Sequence, residues 1–257
     1  MKFYKYQGTG NDFVVIDDRE GTFQLGQAEI AHLCHRRFGI GADGLMLLQN
    51  AEGYDFRMVY YNSDGTEGSM CGNGGRCLVR FAADLNIVQN FTTFIAIDGE
   101  HHAHIAPDKI SLHMKNVAKI DAIEGDYFAQ TGSPHLVRFT SSVKDENVQQ
   151  VGAAIRYSDT FKPQGGTNVN FVEILEKGLF VRTYERGVED ETYSCGTGVT
   201  AAALVANSVK GLSSPISIQT LGGNLSIEFK GDAQNGYHDI FLIGPAVCVF
   251  KGEITSL

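Results

Sequence analysis

Two stretches of this chain, YYNSDGTEGSMCGNGGRCLVRFAADL at residues 60–85 and TYERGVEDETYSCGTGVTAAALVANSV at residues 183–209, carry the same pattern. When they are superposed on Cys71 and Cys195, a tyrosine lies eleven residues before each cysteine and a glutamate lies four before it. The equivalent pairs are Tyr60–Tyr184, Glu67–Glu191, Gly72–Gly196, Gly74–Gly198 and, further on, Gly99–Gly223. An internal repeat predicts two copies of one structural unit, and each copy would present one cysteine at the start of a helix.

Strand-like segments rich in β-branched and aromatic residues fill both halves of the chain, and helix-like runs are few. Apolar spacing predicts helices over 27–38, over 148–157 and after each repeated cysteine. We therefore expect an α+β fold. The repeat places one domain at residues 1–115 and a second at 116–245, and the strand-like tail 246–257 is expected to return to the first.

Composition excludes several classes of protein. A net charge of −9 argues against a nucleic acid or an anionic membrane as partner. No apolar run approaches the roughly 20 residues of a membrane span, and the N-terminus lacks the apolar core of a signal peptide. Five scattered cysteines, an odd number, do not suit a disulfide framework. These features predict a protein of the reducing cytoplasm.

The two repeated cysteines stand where thiol chemistry is favoured. A free cysteine has a pKa of about 8.5, and a helix N-terminus lowers the pKa of a thiol that lies there. The N–H groups of the same helix ends can bind a carboxylate. Two such ends would suit stereoinversion beside a carboxylate, in which one thiolate removes the α-proton and the other thiol supplies one to the opposite face. Such N–H donors, worth roughly 3–4 kcal/mol each, would stabilise the developing charge.

The other cysteines and motifs have plainer interpretations. We interpret Cys34, Cys77 and Cys248 as buried small apolar residues. No metal site is expected, because CGNGGRC lacks the short spacing of zinc ligands and HHAH at 101–104 fits a solvated turn and strand start. GIGADG at 39–44 follows a helix and precedes a strand, which is the reverse of the dinucleotide-binding context, and no cofactor signature is present.

Four motifs together resemble the diaminopimelate epimerase family along almost the whole chain: GTGNDFVVID, NSDGTEGSMCGNGGRC, TNVNFV and ERGVEDETYSCGTG. The resemblance implies a two-base epimerase that needs no pyridoxal or other cofactor. It would interconvert LL- and meso-2,6-diaminopimelate on the route to lysine and peptidoglycan. It also implies two pseudo-symmetric domains, each a curved sheet around a central helix, with the substrate in the cleft between them, and a homodimer.

The resemblance assigns site residues by motif. Cys71 and Cys195 would be the acid/base pair. The reacting carboxylate would be held by the backbone N–H groups of Gly72, Asn73, Gly196 and Thr197. Asn11 would lie by the reacting carbon. The distal end of the substrate would be bound by Asn62, Asn168, Glu185 and Arg186, of which Glu185 would meet the ammonium and Arg186 the carboxylate. From the residues alone, the three asparagines fit turn positions equally well, and Glu185–Arg186 fits a surface pair.

Three departures from the family pattern affect the distal contacts. Gly44 replaces a site glutamine, Ser133 replaces an asparagine, and the 187–191 loop is one residue longer than usual. Two other functions remain open at this point. One is a proline or hydroxyproline racemase, an enzyme with the same two-thiol plan whose small cyclic substrate has no second amino-acid head at its distal end. The other is a non-catalytic amino-acid-binding or redox-sensing protein.

Overall fold

The computed structural model describes residues 1–255. The chain divides into two compact units. The first contains Met1–Leu112 and Gly244–Leu257, and the second contains His113–Ile243.

The first unit alternates strands with two helices. In chain order it contains β1 (Lys2–Gly8), β2 (Asn11–Asp17), α1 (Gln27–Cys34), β3 (Gly44–Gln49), β4 (Phe56–Asn62), β5 (Glu67–Gly68), α2 (Gly72–Asp84), β6 (Phe91–Ala96), β7 (Gly99–Ile105) and β8 (Ile110–Met114).

The second unit follows the same order after one extra strand. It contains β9 (Ile120–Ile123), β10 (Asp126–Gln130), β11 (Pro134–Phe139), α3 (Val148–Arg156), β12 (Asn168–Leu175), β13 (Gly178–Glu185), β14 (Asp190–Thr192), α4 (Gly196–Lys210), β15 (Ile216–Thr220), β16 (Gly223–Asp232) and β17 (Gly236–Gly244). Short 3-10 turns lie at Val143–Asp145 and Lys162–Gln164. The last strand in the described residues is β18 (Val247–Glu253), whose register is with β1 of the first unit.

Strand pairing is equivalent in the two units. The order is β18-β1-β2-β3-β4-β6-β7-β8 in the first and β9-β10-β11-β12-β13-β15-β16-β17 in the second. The parallel pairs also correspond, β2–β3 with β11–β12 and β4–β6 with β13–β15. The sequence repeat is therefore a repeat of topology, and the predicted α+β class is confirmed.

One buried helix organises each unit. α2 packs against β1, β2, β3, β7 and β18, and α4 packs against the equivalent strands β10, β11, β12 and β16, together with β13 and β15. Residues Val199 to Ala206 of α4 are all buried, as expected for a helix that is apolar on every face. In α2, Leu78, Val79, Phe81 and Ala82 have no exposed surface. Each repeated cysteine therefore begins the central helix of its unit.

The GTGN motif forms the tight turn between β1 and β2. Gly8 pairs with Asn11 across the hairpin, and both central residues have positive φ, 52° at Thr9 and 85° at Gly10. Such a two-residue turn matches the twist of its strands and needs a glycine where φ is strongly positive. The turn places Asn11 at the first position of β2.

Three sequence-based expectations need correction. The helix predicted over 27–38 ends at Cys34, because Ile40, Gly41 and Ala42 fold back and donate to the carbonyls of its last turn. HHAH lies inside β7, where His101 is buried against Phe94 with ring centroids 5.3 Å apart. Cys248 is exposed, because β18 covers β1 with one edge and presents residues 247–251 to solvent.

Candidate active site

Cys71 and Cys195 occupy the same backbone position in their units. Each is the N-cap residue of the central helix in an extended conformation, with φ −93° at Cys71 and −116° at Cys195. Their carbonyls accept the first helical hydrogen bonds, from Gly75 at 2.7 Å and from Val199 at 2.9 Å. Helix geometry leaves the N–H groups of the first turn without intrahelical acceptors, and the helix dipole favours an anion there. Each thiol therefore lies beside a potential carboxylate-binding turn.

The Cys71 thiol contacts the side chain of Asn11. The distance from Cys71 Sγ to Asn11 Oδ1 is 3.6 Å, and Asn73 Nδ2 lies 3.5 Å from the same oxygen. Asn11 Nδ2 donates to Asp43 Oδ2 at 2.6 Å. Because a carboxylate only accepts hydrogen bonds, Asp43 fixes the amide so that its oxygen faces the thiol. Asp43 is in turn bound by Arg36 at 2.7 Å.

Arg76 is a buried cation at the start of α2. Its side chain has no exposed surface, and in the described part of the chain it forms no ion pair with a carboxylate. Nη2 donates to Thr9 Oγ1 at 3.2 Å and Nη1 to the Gly72 carbonyl at 3.4 Å. Burial lowers the pKa of Arg76 to about 10, so the guanidinium stays protonated at neutral pH. In α4 the equivalent carbonyl, of Gly196, accepts instead from Thr200 Oγ1 at 2.9 Å.

The Cys195 thiol contacts Thr197, which belongs to a buried hydrogen-bond network. Cys195 Sγ lies 3.5 Å from Thr197 Oγ1. That hydroxyl lies 2.9 Å from His135 Nε2 and 3.2 Å from Ser133 Oγ. The backbone carbonyl of Thr197 accepts from Thr131 Oγ1 at 2.9 Å. The first turn of α4 is thus held by side chains from β11 and the loop before it.

Burial and Asn170 determine the state of His135. Burial lowers the pKa of His135 to about 3, so the ring is neutral over the physiological range. Asn170 Nδ2 donates to the Leu136 carbonyl at 2.8 Å and lies 3.2 Å from His135 Nδ1, while its Oδ1 accepts from Thr183. The amide therefore presents its N–H to Nδ1, which must be the unprotonated nitrogen. His135 Nε2 consequently donates to the hydroxyls of Ser133 and Thr197.

The residues predicted to bind the distal end are divided between the units. Asn62 ends β4 and closes a local turn, donating from Nδ2 to Thr66 Oγ1 at 3.2 Å. Asn168 begins β12 and joins two segments, because its Oδ1 accepts from Arg186 N at 2.8 Å and its Nδ2 donates to the Pro134 carbonyl at 2.8 Å. Glu185 Oε2 accepts from Thr192 Oγ1 at 2.8 Å. Asn168, Glu185, Arg186 and Thr197 lie in the same unit as Cys195.

Two departures from the family pattern have structural reasons. A Cβ at Gly44 would lie 2.6 Å from a ring carbon of Tyr60 and 2.6 Å from the Tyr61 carbonyl, so the Tyr60 ring occupies the space of a side chain there. Ser133 is bound within the buried network and also accepts from Asn168 Nδ2 at 3.4 Å. The repeat-equivalent Tyr184 likewise packs on a glycine, since a Cβ at Gly152 would lie 2.4 Å from its Cβ.

The remaining cysteines differ from the two at the helix ends. Burial raises the pKa of Cys34 to about 11 and that of Cys77 to about 12, so both stay protonated and pack as small apolar residues. Cys248 is the exposed exception. Among residues 1–255, no group of three or more His, Cys, Asp and Glu side chains is arranged to hold a metal ion.

Comparison with known proteins identifies the family. The family model described as "Diaminopimelate epimerase" matches residues 3–116 and 127–249. A diaminopimelate epimerase of Flavobacterium psychrophilum is 54% identical over 99% of this chain and 100% of its own. The diaminopimelate epimerase of Chlorobaculum tepidum is 40% identical over 96% of this chain and 99% of its own. That of Aquifex aeolicus is 39% identical over 100% of this chain and 98% of its own. The chain belongs to the diaminopimelate epimerase family.

Solved structures with much lower identity share the fold of this family member. A PhzF-family phenazine biosynthesis protein from Bacillus anthracis matches with a TM-score of 0.79 at 13% identity, covering 100% of this chain and 99% of the other. A hydroxyproline epimerase from Agrobacterium vitis matches with a TM-score of 0.69 at 14% identity, covering 99% and 90%. At these identities the likeness extends to the fold alone.

Several residues around the thiols were missed by the sequence analysis. Asp43, His135 and Asn170 fix the groups that touch Cys71 and Cys195, yet none was predicted. His135 stands in TGSPH, where only the serine was considered, and Asn170 follows Asn168 at the spacing that puts both on one face of β12. Within the described range, no helix is both long and apolar enough to cross a bilayer.

Proposed function

We propose that this protein interconverts LL- and meso-2,6-diaminopimelate by a two-base mechanism without pyridoxal, with Cys71 and Cys195 as the acid/base pair. Membership of the diaminopimelate epimerase family along the whole chain supports the reaction. The observation that carries the mechanism is the repeat: each unit begins its central helix immediately after a cysteine, in the same N-cap position. The likeness to a hydroxyproline epimerase supports only the fold.

The proton transfers balance without an external reagent. One thiolate takes the α-proton, and the electron pair of the broken C–H bond moves into the adjacent carboxylate. The second thiol then gives its proton to the opposite face of the carbon and becomes the thiolate. N–H groups of the first helical turns, at Gly72 and Asn73 and at Gly196 and Thr197, would stabilise the charge on the carboxylate. The enzyme ends each turnover with the proton on the other sulfur.

We propose that the polar residues near each thiol orient these groups. Asn11, fixed by Asp43, keeps an oxygen towards Cys71, and Thr197, bound by His135, keeps a hydroxyl towards Cys195. At the distal end, Arg186 would bind the second carboxylate as a fork, and Glu185 would bind the second ammonium. Asn62 and Asn168 would complete that end. This assignment makes the substrate an α-amino acid with a second amino-acid head.

We also propose a homodimer that works in the cytoplasm. The support for self-association is a row of exposed apolar side chains on the terminal strand β18, where Val247, Val249 and Phe250 are 46%, 56% and 47% exposed. Exposed apolar side chains grouped on one strand are typical of an interaction surface. The proposed thiol mechanism needs reduced cysteines, which the cytoplasm maintains.

Exchange of the α-proton in D2O tests the function. NMR would follow deuterium entry at Cα of LL- and meso-diaminopimelate, separately, in reduced protein without added cofactor. We expect exchange together with interconversion of the isomers. Cys71→Ser and Cys195→Ser should each lower the rate by about 10²–10⁴-fold, the usual contribution of a positioned acid or base.

The controls for this experiment use the chain's other thiols and substrates. Cys248→Ser removes an exposed cysteine outside the proposed site and should leave the rate unchanged. Exchange of proline or hydroxyproline without exchange of diaminopimelate would overturn the substrate assignment. Undiminished rates in both cysteine variants would overturn the two-base mechanism.

A further inference from the structure

The turn that follows β13 is held by an ion pair outside the predicted site. The Arg156 guanidinium donates three hydrogen bonds to the Glu189 carboxylate. Nε lies 3.0 Å from Oε1 and 2.8 Å from Oε2, and Nη2 lies 2.8 Å from Oε1. The carboxylate also accepts from Tyr157 Oη at 2.7 Å, Tyr184 Oη at 3.3 Å and Gly187 N at 2.9 Å. This turn contains the extra residue of the 187–191 loop.

The pair remains charged over the whole working range of pH. Hydrogen bonds from Arg156 lower the pKa of Glu189 to about 2. The Arg156 side chain is 12% exposed and stacks on the Tyr157 ring at 5.0 Å, whereas Glu189 is 34% exposed. Solvent screening at that exposure limits what the pair adds to global stability. Its main effect is therefore on local geometry.

The turn is held by one backbone bond, from Glu189 N to the Glu185 carbonyl at 2.8 Å, and by these side-chain bonds. Gly187 and Glu189 both have positive φ, 97° and 60°. Glutamate rarely adopts this left-handed region, so the conformation persists only where surrounding contacts enforce it. The Glu189 carboxylate bonds to Gly187 N within the turn and to Arg156 at the last residue of α3. These bonds fix the turn that begins with Arg186.

Arg156 also fixes the second segment that flanks Arg186. Its Nη1 donates to the Gly165 carbonyl at 2.7 Å, and a Cβ at Gly166 would lie 1.6 Å from the same nitrogen. A Cβ at Gly165 would lie 3.9 Å from Arg186 Nη1, so the two guanidinium groups border the same short loop. One arginine thus binds both the turn that carries Arg186 and the loop over which its side chain lies.

We propose that Arg156 and Glu189 form a positioning pair that places Arg186 and thereby sets selectivity for a substrate with a distal carboxylate. The inference rests on the proposed function and extends it to two residues that touch no substrate. Glu189 of the pair lies in the 187–191 loop, where this chain departs from the family pattern by one residue. Loss of either partner should weaken recognition of the distal head while leaving proton transfer at the α-carbon intact.

Steady-state kinetics of Glu189→Gln, Arg156→Met and the double variant test this inference. With meso-diaminopimelate, we expect KM to rise about tenfold in each single variant, equivalent to about 1.4 kcal/mol of binding, and kcat to change less than threefold. The double variant should be no worse than the single ones, because the two residues act as a unit. Exchange of lysine, which lacks the distal carboxylate, should be unaffected.

The matched control is Asp126→Asn, which removes the charge from the Arg138–Asp126 pair of the same unit, a pair held by three hydrogen bonds, and should leave KM unchanged. If lysine exchange is too slow to measure, the division between KM and kcat decides. A fall in kcat at constant KM in the Glu189 and Arg156 variants, or an equal rise of KM in the control, would overturn this inference but leave the proposed function standing. Absence of diaminopimelate exchange in the wild type would overturn the proposed function, and the inference with it.

Discussion

Single residues near the two thiols show how a repeat acquires different local chemistry. The carbonyl of the first residue of α2 is bound by a buried cation, Arg76, and that of α4 by a neutral hydroxyl, Thr200. Cys71 faces a carbonyl-type oxygen of Asn11, whereas Cys195 faces a hydroxyl of Thr197. The backbone positions are equivalent, but the groups that form a hydrogen bond with each sulfur are not.

His135 gives a prediction about stability and pH. Its folded-state pKa of about 3 lies below the ordinary value of 6.5, so between these values the unfolded chain binds the extra proton. The neutral ring therefore stabilises the fold fully above pH 6.5, and this contribution is lost as the pH falls towards 3. The slope from one such group reaches about 1.4 kcal/mol per pH unit.

Urea unfolding of wild type and His135→Gln at pH 7, 6 and 5 measures this effect. We expect the variant to be less stable at pH 7 by about 1–3 kcal/mol, because it disturbs buried hydrogen bonds. The wild type should then lose stability more steeply on acidification, so the two curves converge. Other titrating groups cancel in the difference. Parallel curves would contradict a neutral, buried His135.

At the scale of elements, the paired glycines of the two central helices differ in what they allow. A Cβ at Gly198 would lie 2.4 Å from Asn170 Oδ1, inside the buried network that holds His135 and Thr197. A Cβ at Gly74 would lie 3.1 Å from Met46 Sδ, part of a flexible side chain. A side chain larger than glycine is therefore excluded at this repeat position in α4 but can be accommodated in α2.

Alanine substitution at the two positions checks this difference. We expect Gly198→Ala to destabilise the fold by about 1–3 kcal/mol, as overpacking of a core does. Gly74→Ala should be within about 1 kcal/mol of wild type, because alanine is favoured over glycine in a helix and Met46 can move. Thermal or urea unfolding gives both values. Equal destabilisation at the two sites would show that the Asn170 contact does not restrict α4.

The elements also show where sequence patterns failed. Apolar spacing predicted a helix to residue 38, but α1 ends at Cys34 because the returning backbone at 40–42 takes its last carbonyls. HHAH was expected to be a solvated turn and strand start, but cross-strand pairing with β6 places all four residues inside β7. In both cases the outcome depends on backbone hydrogen bonds to the neighbouring segment of the chain, which the spacing of side chains within one segment does not report.

At the scale of the whole molecule, the exposed apolar strand predicts the oligomeric state. If β18 forms the interface of the proposed homodimer, Val249→Lys should weaken self-association by at least about tenfold, because it places an unpaired charge in an apolar contact. Ile97→Lys, at an equally exposed apolar position of the same unit, should have no effect. Sedimentation equilibrium measures both dissociation constants. A monomeric wild type, or a dimer unaffected by Val249→Lys, would contradict the prediction.

The sequence alone determined the family, the α+β class, the repeated unit and the two cysteines at helix starts, because motif order, periodicity and glycine-rich helix starts are local properties of the chain. Only tertiary structure revealed the groups that fix those cysteines and their neighbours. Asp43 reaches Asn11, His135 reaches Thr197, and Arg156 reaches Glu189 across separations of 32, 62 and 33 residues. Hydrogen bonds over such distances depend on how strands and helices pack, which no single segment encodes.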